Sequence, residues 1–309
     1  MADQEEAPTL QLGPDGPQIR PMGIGTRFWG YGEEDEDLDR RAAFDAALNA
    51  GVTLFDTAEI YAFGKSERLL GSFIQDRGGS AVIMTKYAPF PWRFGRKSVV
   101  NALRRSLQRL GLEQVHLYMI HWPYTLTSIE TLMAGLADAV EAGLTKTVGV
   151  SNFNPSQMQQ AHDFLAERGI PLATNQVAFS LLKRDPETNG LLDLCLQLDV
   201  TLVAYGPLAT GLLTGKYTPE QLPSGFLGLR SRKSDMMRLQ PLLRLMREIG
   251  KEHGGKTVGQ VALNWTIAKG ALPIPGAKNA YQAEENIGAL GWSLTDVEVA
   301  GLDAVAQID

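Results

Sequence analysis

The sequence predicts an α/β fold, namely a closed barrel of eight parallel strands with connecting helices, the (β/α)8 or TIM barrel. Short apolar runs rich in β-branched residues recur along the 309 residues, and segments with helical periodicity lie between them. The runs begin about 30 residues apart, until a gap of about 70 residues precedes the last one. Strands that alternate with helices in this way are parallel and joined by crossover helices. No linker divides the chain, so we predict a single domain over residues 1–309, with residues 1–9 flexible.

The individual elements follow in chain order. The segment LQLGPDGPQIR predicts a short hairpin around Pro14-Asp15-Gly16, which would plug the N-terminal mouth of a barrel. The clearest helix is KSVVNALRRSLQRLG, in which the apolar residues share one face and Gly111 marks the end. We also expect extra helices at the C-terminus. The eight strands are predicted at PMGIG near residue 22, VTLF near 52, AVIMTK near 82, VHLYMI near 115, TKTVGV near 145, LATNQV near 172, TLVAY near 201 and ALPIP near 272.

An open, doubly wound sheet is the competing architecture for the same alternation of strands and helices. That fold should carry the pattern Gly-x-Gly-x-x-Gly between its first strand and its first helix. Here Gly23 and Gly25 supply the first two glycines, but Phe28 stands at the third position and no helix start follows. The sequence therefore favours the closed barrel.

Composition and charge narrow the functional class. The formal net charge is −6, and no basic face suggests a nucleic-acid partner. No apolar run approaches the ~18 residues of a membrane span, and the N-terminal residues MADQEEAPT do not resemble a signal peptide. We therefore expect a soluble, cytoplasmic protein that binds neither nucleic acid nor membrane. Cys195 has no second cysteine for a disulfide, and four histidines without a His-x-His or cysteine pair do not predict a metal site.

The residues that follow each predicted strand are the candidates for a functional site, because barrel enzymes act at the C-terminal ends of their strands. Asp56 and then Tyr61 follow the second strand, Lys86 ends the third, and His121 follows the fourth. The long stretch from Gly206 to about residue 238 has no clean periodicity, and such loops in compact folds are usually functional. The other strand exits carry polar or turn-forming residues: Gly25-Thr26, Ser151-Asn152, Gln176, Tyr205 and Pro275-Gly276-Ala277-Lys278.

Asp56, Tyr61, Lys86 and His121 have the chemistry of an acid catalyst directed at a carbonyl group. The reference pKa of tyrosine is near 10, and a neighbouring ammonium such as Lys86 should lower it by stabilising the phenolate. A carboxylate behind the lysine would hold the ammonium in place, and a histidine would orient the carbonyl oxygen. A general acid of this kind suits hydride reduction, in which the oxygen gains a proton as the carbon gains a hydride. Side chains cannot supply hydride, so a nicotinamide cofactor is implied.

From about residue 10 to residue 306, the chain resembles the aldo-keto reductase superfamily. The motifs PWRFGRKSVV and GALGWSLTDVE narrow the resemblance to a plant and cyanobacterial branch of oxidoreductases related to pyridoxal reductase. The matching stretches occur in the order that the family has: FDTAEIYAFGKSERLLG, IMTKY, LYMIHWP, KTVGVSNF, TNQVAFS, LVAYGPLATGLLTGKY and PIPGAKNAYQAEENIGALGWSLT.

The resemblance implies a role for each matching residue. Tyr61 would be the general acid, with Lys86 and Asp56 tuning and fixing it and His121 orienting the carbonyl. Lys278, near a helix N-terminus, suits the 2′-phosphate of NADPH, so the implied cofactor is NADPH/NADP. The other implied cofactor contacts are Gly25, Thr26, Asp56, Ser151, Asn152, Gln176, Tyr205, Gly206, Pro207, Leu208, Thr210, Gly211, Lys216, Pro275, Gly276, Ala277, Gln282, Glu285 and Asn286.

The activity implied by the resemblance is NADPH-dependent reduction of aldehydes or ketones to alcohols, with a small-molecule carbonyl compound as substrate. Trp29, Phe63 and Trp92 are expected to form aromatic walls of the substrate pocket, beside Tyr61 and His121.

Two departures from the family pattern concern the residues that would bind the cofactor. Gly206 stands where many relatives have serine, and lysine and glutamine replace phosphate-binding arginines in the last motif.

A second hypothesis belongs to another functional class. The chain would be an NADPH-binding redox sensor or regulatory subunit with slow turnover, like the potassium-channel β-subunits on this fold. Both hypotheses use the same cofactor site, so the rate of turnover separates them. The physiological substrate, the direction of the reaction and the oligomeric state do not follow from the sequence.

Overall fold

The computed structural model describes residues 9–33, 35–78, 81–223 and 232–306, and these form a barrel of eight parallel strands surrounded by helices. Each barrel strand pairs with the next one along the chain. The first and last strands meet at a parallel bridge between Gly25 and Gly276, where the Gly25 N–H donates to the Pro275 carbonyl at 3.0 Å. The barrel strands are β3 (Gly23–Gly25), β4 (Leu54–Asp56), β5 (Val82–Tyr87), β6 (Val115–Ile120), β7 (Thr145–Ser151), β8 (Leu172–Ala178), β9 (Thr201–Tyr205) and β10 (Leu272–Ile274).

The predicted barrel and its eight strands are thus confirmed, and the open sheet is excluded. Helices cover the outside of the barrel, and the last helix packs against the long one that follows β9, as the expectation of extra C-terminal helices required. The helices are α1 (Asp35–Asn49), α2 (Lys65–Arg77), α3 (Arg96–Leu110), α4 (Ile129–Glu141), α5 (Pro155–Ala166), α6 (Asp185–Thr188), α7 (Leu191–Gln197), α8 (Lys233–Glu252), α9 (Val258–Ala268), α10 (Ala280–Ile287) and α11 (Asp296–Val305).

Helix α3 shows how a local pattern becomes an element. Val99, Leu103 and Leu107 recur at helical spacing, and all are buried against the barrel. The helix ends because Gly111 adopts a left-handed conformation with φ of 66°, which glycine enters without a Cβ clash. Its N–H donates back to the Leu107 carbonyl and satisfies one of the last open acceptors of the helix.

The N-terminal hairpin closes the bottom of the barrel. Strands β1 (Leu10–Gln11) and β2 (Gln18–Ile19) pair antiparallel, and the Gly13 N–H donates to Thr201 Oγ1 at 3.0 Å. Leu12 and Ile19 are buried in the barrel interior together with side chains of the barrel strands. The predicted plug is therefore confirmed, and it leaves the opposite end of the barrel for a functional site.

The structure shortens the long loop that was predicted after the strand now called β9. The loop that was expected to reach residue 238 ends earlier, because α8 begins at Lys233, and Met236 is buried in that helix. Residues 1–8 of the segment expected to be flexible, and residues 224–231 of the long loop, lie outside the described residues. Cys195 is buried in α7, and burial raises the pKa of its thiol to about 12.

The described residues include neither a helix that could span a membrane nor a cluster that could hold a metal ion. Its helices are each too short or too polar to cross a membrane. Within the same residues, no three His, Cys, Asp or Glu side chains are grouped so that they could hold a metal ion.

Candidate active site

The barrel brings Asp56, Tyr61, Lys86 and His121 together at the C-terminal ends of β4, β5 and β6. Lys86 Nζ contacts Asp56 Oδ1, donates to the Thr57 carbonyl at 2.8 Å, and lies 3.4 Å from Tyr61 Oη. The His121 ring meets the Tyr61 ring edge to face, with 5.8 Å between their centroids. Neighbouring parallel strands end at the same rim of a barrel, which is why residues 65 positions apart in the chain meet here, from Asp56 to His121.

A strained turn directs Tyr61 towards Lys86. A 3₁₀ turn spans Tyr61–Gly64, and Ala62 and Phe63 inside it have positive φ angles of 46° and 54°. Such left-handed conformations cost free energy for residues with a Cβ and tend to occur at functional sites. The turn places Lys86 Nζ 5.0 Å from the centroid of the Tyr61 ring.

Asp56 and Lys86 form a buried ion pair that neighbouring groups hold in place. Gln176 Nε2 donates to Asp56 Oδ1 at 2.9 Å, and Thr26 donates both its N–H and its hydroxyl to the Asp56 carbonyl at 2.9 Å. Burial raises the pKa of Asp56 and lowers the pKa of Lys86, while the attraction between the two groups opposes both shifts. The hydrogen bonds to the carboxylate also favour its charged form.

Tyr61 departs from the expected electrostatics. We expected the Lys86 ammonium to lower its pKa, but burial raises the pKa of Tyr61 well above the usual 10, and the Asp56 carboxylate raises it further. Desolvation of the phenolate is the larger effect because the hydroxyl is deep in the site. Tyr61 therefore holds its proton, which is the form in which a general acid must start.

His121 is a neutral imidazole in this site. Burial, followed by the charges of Lys86 and Arg27, lowers the pKa of His121 to about 2. In the described structure its Nδ1 atom is buried and makes no hydrogen bond. A neutral ring has one N–H donor and one acceptor nitrogen, so His121 can offer a hydrogen bond to a polar ligand.

Polar residues at the exits of β7, β8 and β9 form a hydrogen-bonded network. It lies beside the four candidate catalytic side chains. Tyr205 Oη donates to Asn152 Oδ1 at 3.0 Å, and Asn152 Nδ2 donates at 3.0 Å both to the His121 carbonyl and to Ser151 Oγ. Ser151 Oγ donates in turn to the Gln176 carbonyl at 2.8 Å. The network therefore connects these four predicted cofactor contacts to His121 and, through Gln176, to Asp56.

The turn after β9 is built from left-handed residues. Gly206, Ala209, Thr210 and Gly211 have positive φ angles of 63°, 48°, 57° and 90°, and a 3₁₀ segment spans Ala209–Thr214. The Ala209 and Gly211 N–H groups donate within the turn, to the Gly206 and Leu208 carbonyls at 2.9 and 2.8 Å. Turns can direct their remaining backbone N–H groups to one side, which is a common way to bind an anion. The predicted loop residues Gly206, Pro207, Leu208, Thr210, Gly211 and Lys216 all lie in or next to this turn.

The last motif forms a second polar corner between β10 and α10. The Lys278 N–H donates to Gln282 Oε1 at 2.9 Å, and Asn286 Nδ2 donates to the Gly276 carbonyl at 3.2 Å. Glu285 Oε1 accepts from the Thr257 hydroxyl at 2.5 Å. Gln282, Glu285 and Asn286 therefore hold the corner together, while the Lys278 side chain is exposed and lies over the Phe28 ring at 5.4 Å.

Comparison with known proteins identifies the family of the chain. The family model described as "Aldo/keto reductase family" matches residues 21–307. The chain belongs to the aldo/keto reductase family. A chloroplastic pyridoxal reductase of Arabidopsis thaliana is 42% identical over 308 residues, which cover 94% of this chain and 84% of that protein. An uncharacterised oxidoreductase of Mycobacterium tuberculosis is 36% identical over 303 residues, which cover 94% of this chain and 89% of that protein.

Solved structures of the family share the fold. A glycerol dehydrogenase from Gluconobacter oxydans superposes with a TM-score of 0.86 at 28% identity, over 96% of this chain and 94% of that chain. An aldo-keto reductase from Klebsiella pneumoniae, solved in complex with NADPH, superposes with a TM-score of 0.77 at 27% identity, over 97% of this chain and 95% of that chain. The barrel is therefore the barrel of the aldo/keto reductases, a family of oxidoreductases.

For this aldo/keto reductase, the predicted place of Trp29 in the substrate pocket is wrong. The sequence placed its ring in the substrate pocket, but the residue is 1% exposed and packs against Phe55 and Phe73 between the barrel and the helices. Its Nε1 donates to the Ala277 carbonyl at 2.8 Å. The Trp29 N–H donates to the Thr26 carbonyl at 2.9 Å, and this turn accompanies the buried position of the ring. Phe63 and Trp92 are 93% and 71% exposed, and their place in the pocket stays a prediction.

Sequence reasoning missed several residues of the site. Arg27 directly follows Thr26, and its charge partly opposes the rise that burial causes in the pKa of Tyr61 and adds to the fall that burial causes in the pKa of Lys86 and His121. The sequence signal that could have identified Arg27 is its positive charge next to a predicted strand exit. Glu59 and Arg93, which form an ion pair beside the site, had no such signal, because their partnership joins two loops that are distant in the sequence.

Proposed function

We propose that this chain is an NADPH-dependent oxidoreductase that reduces aldehydes or ketones to alcohols, with Tyr61 as the general acid. The observation that carries the proposal is the position of the protonated Tyr61 hydroxyl, 3.4 Å from a buried ammonium that is itself bound to Asp56. Family membership supports the oxidoreductase class, and the NADPH complex of the Klebsiella pneumoniae relative supports the cofactor.

The residues present suit a nicotinamide dinucleotide phosphate. Ser151, Asn152 and Gln176 would hold the carboxamide, and Tyr205 would contact the nicotinamide ring. The turn after β9 would bind the pyrophosphate, while Lys278 and the N-terminus of α10 would bind the 2′-phosphate, since a cation and a helix dipole both favour a dianion. The buried Nδ1 of His121, without a hydrogen bond in the described structure, and the exposed Lys278 ammonium are consistent with a polar ligand along this rim.

Each of the four side chains has a separate role in carbonyl reduction. When bound, NADPH supplies the hydride. Tyr61 donates its proton to the carbonyl oxygen, and Lys86 stabilises the phenolate that remains. Neutral His121 donates a hydrogen bond that orients the same oxygen, and Asp56 keeps Lys86 charged and in position.

The test is a turnover assay with NADPH, followed at 340 nm, over a panel of aldehydes that includes pyridoxal. We expect loss of NADPH with at least one aldehyde, and a decrease in kcat of about 10²–10⁴-fold in Tyr61→Phe, because a general acid contributes that much. NADPH binding, measured by fluorescence titration, should stay within about twofold in the variant, since the hydroxyl acts on the substrate.

Tyr118→Phe is the matched control, because it removes a buried tyrosine hydroxyl from β6 that donates to the Val99 carbonyl outside the site. It should keep wild-type kcat. Equal turnover in Tyr61→Phe and wild type would contradict the assignment of the acid. NADPH binding without turnover of any aldehyde would favour the redox-sensor hypothesis instead.

A further inference from the structure

Helix α3 has a strongly basic outer surface, although the net charge of the protein is −6. Its sequence, RKSVVNALRRSLQRL, contains five arginines or lysines and no acidic residue. The apolar side of the helix is buried, so the basic side chains lie on its outer side and flanks. Arg105 and Arg109 lie on the flank next to α2, while Lys97 and Arg104 lie on the flank next to α4. No step of the proposed reaction uses this surface.

An open groove of about 540 Å³ lies between α2 and α3. Arg68 and Gln75 line it from α2, and Arg105, Gln108 and Arg109 line it from α3. Three guanidinium groups and two side-chain amides therefore line one groove on the outside of the barrel.

Among the described residues, only one of these three arginines has a carboxylate partner. Arg109 Nε donates to Glu67 Oε2 at 2.5 Å, and the other oxygen of the buried Glu67 accepts from the Thr85 hydroxyl at 2.7 Å. Arg68 and Arg105 are exposed, and neither forms an ion pair within the described part of the chain. The groove therefore keeps a positive charge that these residues do not neutralise.

The chemistry of the lining suits a peptide segment with carboxylate side chains. Guanidinium groups bind carboxylates through paired N–H donors, and they bind phosphates in the same way. The amides of Gln75 and Gln108 make no hydrogen bond within the described residues, and an amide both donates and accepts, as a peptide backbone does. A phosphate backbone only accepts, so it would leave the amide oxygens unpaired. No aromatic ring lines the groove on which a base could stack.

Carboxylates on either side of the groove limit the length of such a segment. Asp76 follows Gln75 directly, and its side chain is 65% exposed. Asp138 of α4 lies beside Arg104 on the other flank of α3. A long polyanion would meet both of these negative charges, whereas a short acidic segment would contact the arginines of the groove alone.

We propose that the groove between α2 and α3 is a docking site for a short acidic segment of a partner protein. Arg68 and Arg105 bind the carboxylates of that segment, and Gln75 and Gln108 bind its backbone. None of the candidate catalytic or cofactor-binding residues lines the groove, so the inference holds whether or not the chain is a reductase.

Arg105 is the most suitable position for a test. Arg68 Nη2 donates to the Phe63 carbonyl in the strained turn at 3.4 Å, and Arg109 is bound to the buried Glu67, so both of these arginines also support the fold. Arg105 makes neither kind of contact within the described residues. Arg105→Gln should therefore fold as wild type does, which thermal unfolding verifies.

The experiment follows the fluorescence anisotropy of a labelled octaglutamate peptide that is titrated with the full chain at low and at physiological salt. Arg104→Gln is the matched control, because it removes the same charge from the adjacent residue, on the flank of α3 next to α4. We expect saturable binding by wild type, an affinity about two- to fivefold lower for Arg105→Gln, and little change for Arg104→Gln, because an exposed ion pair contributes that much and salt screens more distant charges. Arg105→Lys should recover part of the loss.

Two results would overturn the docking site itself. One is the absence of saturable binding by wild type. The other is an equal loss of affinity in Arg105→Gln and Arg104→Gln, since a general attraction between the basic helix and any anion would then explain the binding. A labelled peptide of glycine and serine of the same length should not bind, and its binding would likewise contradict recognition of carboxylates.

Two further measurements test other occupants of the groove. An oligothymidine of eight nucleotides that binds as tightly as octaglutamate, and that depends equally on Arg105, would assign the groove to nucleic acid and overturn the proposal. Sedimentation of the protein alone over a range of concentrations tests for a second copy of this chain. A dimer that dissociates in Arg105→Gln would assign the groove to that copy instead of to an acidic partner.

Discussion

At the residue scale, the buried ion pair of Lys86 and Asp56 should serve both the fold and the proposed chemistry, because Lys86 Nζ also lies 3.4 Å from Tyr61 Oη. Lys86→Met should reduce turnover to the level of Tyr61→Phe and also lower the free energy of unfolding by about 3–5 kcal/mol, because Asp56 is left buried without its partner. Urea unfolding and the 340 nm assay measure the two effects separately.

The double variant Asp56→Asn/Lys86→Met resolves the two roles. It should regain most of the stability, because replacing both members of a buried pair with neutral groups leaves no uncompensated charge. It should not regain turnover, because no ammonium remains beside Tyr61. Recovery of turnover in the double variant would show that Lys86 serves only the fold.

His121 should make the stability of the protein depend on pH. Its pKa is about 2 in the folded protein and near 6.5 when unfolded, so the unfolded state binds a proton that the folded state excludes. Folding stability should therefore fall as the pH drops below 6.5, by up to about 1.4 kcal/mol per pH unit from this group. Urea unfolding at pH 7, 6 and 5 should show a smaller decline for His121→Asn than for wild type. Parallel curves would contradict the neutral, desolvated imidazole.

At the scale of elements, the contact between α2 and α3 requires a glycine. A Cβ on Gly71 of α2 would lie 2.4 Å from the Leu110 carbonyl oxygen at the end of α3, a backbone atom that cannot rotate away. Gly71→Ala should therefore destabilise the protein by about 1–3 kcal/mol through overpacking, although alanine is the better helix former.

Ser72→Ala is the matched control for Gly71→Ala, because Ser72 is the exposed neighbour on the same helix. It should be neutral or slightly stabilising, since helix propensity is then the main term. Thermal unfolding of the two variants compares them directly. A stable Gly71→Ala would mean that α2 and α3 can separate without cost.

At the scale of the whole molecule, the two ends of the barrel should behave independently. Leu12→Ala removes a fully buried side chain from the hairpin that plugs the N-terminal end, and should cost about 2–5 kcal/mol of stability. The candidate site lies at the opposite end, so kcat at 25 °C should stay within about twofold of wild type. Leu10→Ala, at a half-buried position of the same hairpin, should cost less. A large loss of kcat in folded Leu12→Ala would show coupling between the ends.

The strand order and most of the rim chemistry follow from sequence alone. Each strand is a local apolar run, and consecutive parallel strands end at the same rim, so the sequence predicts that Asp56, Lys86 and His121 meet. The plug was expected for a similar reason, because its turn residues and the apolar Leu12 and Ile19 are encoded within a few residues of one another.

Turn geometry and burial needed the tertiary structure. Trp29 follows a strand exit as a pocket residue would, but a single turn directs its ring outward against Phe55. The pKa of Tyr61 is raised rather than lowered because desolvation depends on the depth of the site, which no residue pattern reports. The Glu59–Arg93 pair joins two loops across 34 positions of chain, and such pairings depend on the path of both backbones. Local periodicity and chain order thus account for the barrel and its candidate residues. Packing between distant segments determines where their side chains point and which of them are protonated.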